Sequence, residues 1–224
     1  MRTRAVFPMK ILALEFSSER RSAALWDGAG EVAEVAENGG RRLQAFALID
    51  EALRRAGWER EAVECLAVGL GPGSYTGVRA AIAVAQGWQL ARNVHLLGIS
   101  SADALAAQAQ ADGCRGRVHV VINAQRGEFY SAGYDLGPGS PEIVAPLRLL
   151  AAPEAQALAK TGLVLLGPDL HSQFSTGRIL EPSAAAVARL AASRREFVAG
   201  DQLQPIYLRA TTFVKAPPAR LPLS

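Results

Sequence analysis

The residues best placed to do chemistry form one string, Gly69-Leu70-Gly71-Pro72-Gly73-Ser74-Tyr75-Thr76-Gly77-Val78-Arg79. Glycines at 69, 71 and 73 allow positive φ and let another group approach the backbone, while Pro72 fixes one torsion inside the turn. Ser74 or Thr76 can cap a following helix by accepting from its first unpaired amides. Those amides, with the helix dipole, suit an anion, so the turn reads either as a phosphate cradle or as a tight connection that binds nothing. Metal chemistry has less to work with. Two histidines four apart on a helix would place both imidazoles on one ion, but His95, His119 and His171 are remote from one another. His119 alternates within a strand and reads as structural, and His95 is assigned nothing. No GxSxG string occurs, and neither Cys65 nor Cys114 has a histidine near it in sequence to act as a base.

The elements that must position this string are legible from apolar spacing. Cys65-Leu66-Ala67-Val68 is a short buried strand before the turn, and a long proline-free segment, Ala80 to Arg92, is a helix after it. Upstream, Lys10 to Phe16, Ser22 to Trp26 and Glu31 to Glu37 read as three strands. A helix from Arg41 to Ala56, closed by Gly57, follows them. Phe46, Ile49, Leu53 and Ala56 form its core stripe, with Leu43 and Ala47 on an adjoining one. The helix after the turn has no polar face over most of its length. It is either internal to the fold or packs one side on a sheet and the other on a helix of this chain or a partner, with Ala80, Ala83 and Gly87 permitting close approach. Val94 to Ile99 is a further strand, and Ser100 caps a helix to Ala111.

The pattern then restarts. Arg117 to Asn123, Gly127 to Asp135 and a weak Glu142 to Leu147, interrupted by Pro146, are strands. Pro153 to Lys160 is a helix, Leu163 to Leu166 a strand and Ser183 to Val198 a helix. Both halves read strand-strand-strand-helix-strand-helix, with Ser22–Asp27 set over Ser131–Asp135 when a one-residue slip is allowed. That is an internal duplication.

At 224 residues the chain fits one large domain or two small lobes. A net charge of +3 gives no argument for nucleic acid, and the paired arginines, such as Arg54-Arg55 and Arg194-Arg195, read as solvated faces. Two cysteines make no disulfide framework, which fits a reducing cytoplasm. No run has the length of a membrane span, and Met1 to Pro8 is too short and weakly apolar for a signal peptide. Met9 is as good a start as Met1.

The duplicated order resembles the actin-like ATPase superfamily. Ile11-Leu12-Ala13-Leu14-Glu15-Phe16-Ser17-Ser18, Gly71-Pro72-Gly73-Ser74-Tyr75-Thr76-Gly77-Val78-Arg79 and Ala85-Gln86-Gly87 resemble one family within it, TsaB, also called YeaZ. So do Asn123-Ala124-Gln125-Arg126-Gly127-Glu128-Phe129-Tyr130 and Pro205-Ile206-Tyr207-Leu208-Arg209. The family's usual strings are IDTS, GPGSFTGVR and DARxGEVY. The resemblance runs from Met9 to about Lys215.

It implies an α/β fold of two lobes, each a duplicated ribonuclease H-like βββαβα unit in the actin-like ATPase arrangement. The expected division is 9–103 and 104–215, with flexible ends at 1–8 and 216–224 and the last helix packing back on the first lobe. It implies a non-catalytic scaffold in the making of threonylcarbamoyladenosine beside the tRNA anticodon, paired with the transferase TsaD and served by the ATPase TsaE. On this reading tRNA is met through the complex rather than directly, and a homodimer forms through the same surface when TsaD is absent. No membrane, metal or cofactor is expected, apart from room for a nucleotide at the interface with TsaD.

The family's pairing mode, joined to helical spacing, assigns Leu43, Ala47, Ala80, Ala83, Gly87 and Leu90 to the partner interface. Gly71, Gly73, Ser74, Thr76, Gly77 and Arg79 are candidate contacts for a nucleotide phosphate or a seam between proteins. The family places Asp where this chain has Glu15 and Asn123, and a hydrated magnesium on this pair is doubtful. The competing reading is a self-standing ATP hydrolase, kinase or metallopeptidase of the same fold.

Overall fold

The computed structural model describes residues 9–39, 44–170, 174 and 177–209. Leu43, His171 and both chain ends lie outside the described residues, as does the expected start of the first helix at Arg41. Ile11–Glu15 (β1), Arg20–Trp26 (β2) and Glu31–Asn38 (β3) form an antiparallel meander. After the helix Ala45–Ala56 (α1), Cys65–Gly69 (β4) returns parallel to β1. After Tyr75–Arg92 (α2), His95–Ile99 (β5) returns parallel to β4, and Ser101–Ala111 (α3) follows.

The second half repeats the plan. Gly116–Asn123 (β6), Glu128–Leu136 (β7) and Glu142–Ala151 (β8) form the meander. Ala152–Ala159 (α4), Val164–Gly167 (β9), the short Arg178–Ile179 (β10) and Ala184–Ala192 (α5) complete it. Strand order is β3-β2-β1-β4-β5 in the first sheet and β10-β9-β6-β7-β8 in the second, so each sheet has the first strand of its meander at the centre. This is a duplicated two-lobed α/β arrangement.

Four details differ from the sequence reading. Phe46 lies outside the core stripe of α1, which is built from Ala45, Leu48, Ile49, Ala52 and Leu53. β8 runs through Pro146 without ending, because it is the edge of its sheet, where a missing amide costs no ladder bond. α5 stops at Ala192, and the Val198 amide donates instead to the Leu96 carbonyl. Ser22 faces Glu15 at the end of β1, whereas Ser131 faces Val121, two residues before Asn123, so the internal match is two residues out of register at the serines and one at Asp27 and Asp135.

Alternation along the strands divides the core. Leu12, Leu14, Leu66, Val68 and Leu96 face α1 and α2, while Ile11, Ala13, Cys65, Ala67 and Leu97 face the opposite side. That opposite side is covered by α5, which comes from the second half of the chain. In return α3, from the first half, covers Val118, Val120, Ile122 and Tyr134 of the second sheet. The expected lobe boundary at 103/104 thus falls inside a helix that packs on the second sheet.

Polar groups fix this exchange. At the start of α5 the amide of Ala184 donates to Ser22 Oγ (2.8 Å), that of Ala185 to Glu34 (3.3 Å) and that of Ala186 to Ser183 Oγ (3.2 Å). These amides have no partner within the helix, so the first sheet supplies two of their acceptors. On α3, Asp103 accepts from the buried Tyr134 hydroxyl (2.8 Å) and from Arg194 beyond α5 (3.4 Å).

Candidate functional site

The glycine string packs against the end of β1. A side chain at Gly77 would place its Cβ 1.9 Å from the Phe16 carbonyl oxygen, and one at Gly73 would lie 2.1 Å from that of Ser17. Glycine is required there because backbone meets backbone. The Ser74 amide donates to the Ser17 carbonyl (2.6 Å) and Ser74 Oγ caps α2 by accepting from the Gly77 amide (3.3 Å). The Gly71 amide donates to Ser101 Oγ (3.2 Å). Three of the amides that would have cradled a phosphate therefore hold the fold together. The cradle reading is corrected for Gly71 and Gly77, which are buried; Gly73 and Ser74 line a cleft, and Thr76 and Arg79 are exposed.

Glu15 is wholly enclosed. Its carboxylate accepts from the Ser17 amide (2.7 Å) and from Ser101 Oγ (2.8 Å), and it occupies the room left by Gly69, whose Cβ would come within 2.1 Å of it. Burial pushes this carboxyl above its ordinary value, against the hydrogen bonds from Ser17, Ser101 and Phe16 that hold it down. In the second lobe, Asn123 turns its Oδ1 onto the Gln125 amide (2.7 Å). A hydrated magnesium needs carboxylate oxygens facing it. Glu15 faces inward as a tie between β1, the turn and α3, and Asn123 is neutral and engaged, so the pair does not fit that ion.

Between the lobes lies a cleft of about 980 Å³. One wall carries Ser17, Ser18, Gly73, Ser74 and Tyr75; the other carries Asn123, Gln125, Arg126 and Tyr130; Tyr207 and Arg209 close one side. Tyr75 stacks on Tyr207 with ring centroids 5.5 Å apart, and the Arg79 guanidinium sits 5.1 Å over the Tyr75 ring. Gln125, Arg126 and Gly127 are three successive residues in the left-handed region, with φ of 63°, 58° and 73°. Arg209 pins this turn by donating to the carbonyls of Ala124 (2.9 Å) and Gln125 (3.3 Å) and pairing with Glu128. Tyr75, Tyr207 and Arg126 fall within the sequence motifs, where no local pattern gives them a role. Only the fold brings residues 75 and 207 together.

A second surface lies across the first lobe. The outer faces of α1 and α2 leave Phe46 62% and Leu90 90% exposed. Ala47, Ala83 and Gly87 are exposed beside them, Ala80 is half-buried, and nothing lies within 4 Å of where a Cβ at Gly87 would stand. The inner face of α2, through Val78, Ala81, Ile82 and Ala85, is in the core. The fully internal helix is thereby excluded.

His95 and His119 stand apart from both surfaces. His95 stacks on Phe197 (4.2 Å between centroids), and His119 is half-buried beside Ser131, where burial and then Arg148 push its pKa down. Among the described residues no three His, Cys, Asp or Glu side chains gather as a metal site, and no helix is long and apolar enough to cross a membrane.

A family model described as TsaD, tRNA N6-adenosine threonylcarbamoyltransferase, matches residues 41–203. The TsaB tRNA threonylcarbamoyladenosine biosynthesis protein of Escherichia coli K12 is 29% identical over 231 residues, spanning 95% of this chain and 100% of that protein. The Haemophilus influenzae protein of the same name is 34% identical over 124 residues, 54% of this chain and 52% of its own. A solved structure described as YeaZ from Pseudomonas aeruginosa superposes with a TM-score of 0.78 at 29% identity, covering 89% of this chain and 100% of that one.

Proposed function

The chain belongs to the TsaB (YeaZ) family of tRNA threonylcarbamoyladenosine biosynthesis proteins, and from that premise we propose that it is a non-catalytic scaffold that pairs with TsaD and activates it. The observation that carries the pairing is the outer face of α1 and α2. The exposed apolar area of Phe46 and Leu90, with the small exposed Ala47, Ala83 and Gly87 on the same two helices, is costly to leave in water. Small residues let helix axes approach to the short end of the usual 8–10 Å spacing, so a pair of helices from a similarly folded partner can bury the large side chains in its grooves. Ala80 adds to this face on α2, and Leu43 is proposed for the same interface from its sequence position.

The scaffold reading rests on site chemistry as well. Glu15 is sealed beneath Gly69 and tied to Ser101, and Asn123 closes a turn, so neither supports magnesium-dependent phosphoryl transfer. The sequence lacks an HxxxH pair for the transferase's metal. The partner supplies the chemistry, and this chain supplies the surface that holds the partner in its active form. TsaE is the further protein of the assembly, the cytoplasm is its place, and a second copy of this chain covers the same face when TsaD is absent.

The test is reconstitution. TsaD is assayed for threonylcarbamoyl transfer to tRNA with and without the purified chain, and pairing is followed by titration calorimetry. Activation that needs the chain but survives Glu15→Gln and Asn123→Ala supports the scaffold. Turnover of ATP by the chain alone, abolished at Glu15, would establish the enzymatic reading instead.

A further inference from the structure

Three of the chain's four tyrosines, Tyr75, Tyr130 and Tyr207, line the cleft between the lobes. Aromatic side chains normally bury their faces, yet Tyr75 and Tyr207 are 59% and 46% exposed at its rim. They stack at an interplanar angle of 24°, and Arg79 holds Tyr75 from above with a hydrogen bond to its hydroxyl (3.0 Å). Across the cleft stands Arg126, at 58° in φ, in a backbone region that disfavours arginine. That conformation persists because Arg209 grips the carbonyls on its N-terminal side. Strain that the surrounding structure over-determines is characteristic of residues aimed at a ligand.

We propose that this cleft grips a single-stranded segment of RNA, with an unstacked base laid on the Tyr75–Tyr207 platform and neighbouring phosphates on Arg126 and Arg79. The inference rests on the tRNA-modification reading and departs from the expectation that tRNA is met only through the partner. Two features favour a strand over a free nucleotide. A triphosphate concentrates its charge and calls for magnesium or a nest of amides. Here the Glu15 carboxylate is turned inward, Glu19 and Asp169 line the cleft without a third acidic group beside them among the described residues, and the amides of Gly71, Ser74 and Gly77 are already paired. A single strand brings one charge per residue and an open base face, which two separated guanidinium groups and a tyrosine stack can meet without metal. A duplex offers no open base face to the platform.

The experiment measures binding of a fluorescent tRNA-loop hairpin by anisotropy, using the full chain alone and paired with TsaD. Tyr207→Ala is expected to weaken binding about tenfold and Tyr207→Phe to leave it unchanged, since the ring and not the hydroxyl carries the stack. Arg126→Asn, which accepts the left-handed backbone, is expected to lower the slope of log affinity against log salt by about 0.7. Unchanged affinity in both Tyr207→Ala and Arg126→Asn, alone and in the complex, would overturn the proposal. So would displacement of the RNA by ATP as effective as by unlabelled hairpin, which would give the cleft to a free nucleotide. Pairing with TsaD is measured on the same preparations. Intact pairing with RNA binding unmoved in the variants refutes the cleft alone, whereas failure of the unaltered chain to pair refutes the premise beneath it.

Discussion

Replacing Gly87 with arginine separates the interface from the fold with opposite signs. Nothing stands within 4 Å of a Cβ at this position, so the monomer meets no clash. Glycine inside a helix is less favourable than a straight-chain residue by roughly 0.5–1 kcal/mol, so the variant monomer gains about that much. For a chain of this size that raises Tm by about 2 °C. In the complex the same side chain has to enter a contact made possible by the absence of one. Overpacking costs about 1–3 kcal/mol, and burying an unpaired guanidinium adds to it, so affinity for TsaD is expected to fall by at least about 100-fold. Titration calorimetry reads the second effect and a thermal melt of the free chain the first. Full affinity in a folded Gly87→Arg chain would refute the interface assignment, and a large drop in Tm would mean that this face is covered within the monomer. Ala83→Arg, one turn earlier on the same exposed face, is expected to lose pairing in parallel.

Other perturbations test the turn and the buried acid. Gly77→Ala drives a methyl group into the Phe16 carbonyl and is expected to cost about 1–3 kcal/mol, read as a lower urea midpoint, with Gly87→Ala as the harmless control. Glu15 has a folded-state pKa above its ordinary 4.5, so the folded chain holds that proton more tightly. Its contribution to stability is full below about 4.5 and is lost as pH rises through the folded value. The stability difference between the native chain and Glu15→Gln should therefore shift against the native chain as pH is raised, and a pH-independent difference would contradict the buried carboxyl. Burial pushes the Cys65 thiol up to about 12, so a thiol reagent at neutral pH should label Cys114 in the native chain and Cys65 only after unfolding.

The strands were legible because alternation and apolar runs report a two-sided sheet, and both meanders lie where their patterns place them. The faces of α1 were not. Spacing places Phe46 on the core stripe with Ile49 and Leu53, whereas the buried stripe adds Ala45, Leu48 and Ala52, the two alanines letting the helix sit close to β2 and β3. In the sequence Glu15 shows only as a departure from Asp that makes a hydrated magnesium doubtful, and nothing there speaks of its burial. Its enclosure depends on the room left at Gly69 and a hydroxyl at Ser101, positions 54 and 86 residues away, which no local pattern links. Glycine motifs signal close approach without saying what approaches. Here it is the chain's own carbonyls at Phe16 and Ser17.

The crossing of α3 and α5 between the sheets carries a consequence for synthesis. The face of the first sheet that holds Ile11, Ala13, Cys65 and Ala67 is complete once β5 has been made, but its cover is Ala184–Ala192. At about 5–20 residues per second, a ribosome takes roughly 5–20 s to supply that helix and longer to release it from the exit tunnel. Throughout that interval the nascent chain presents an uncapped apolar sheet and, in α3, a helix whose own sheet does not yet exist. The two halves, though built on one plan, therefore complete each other's cores only once Ala184–Ala192 has emerged.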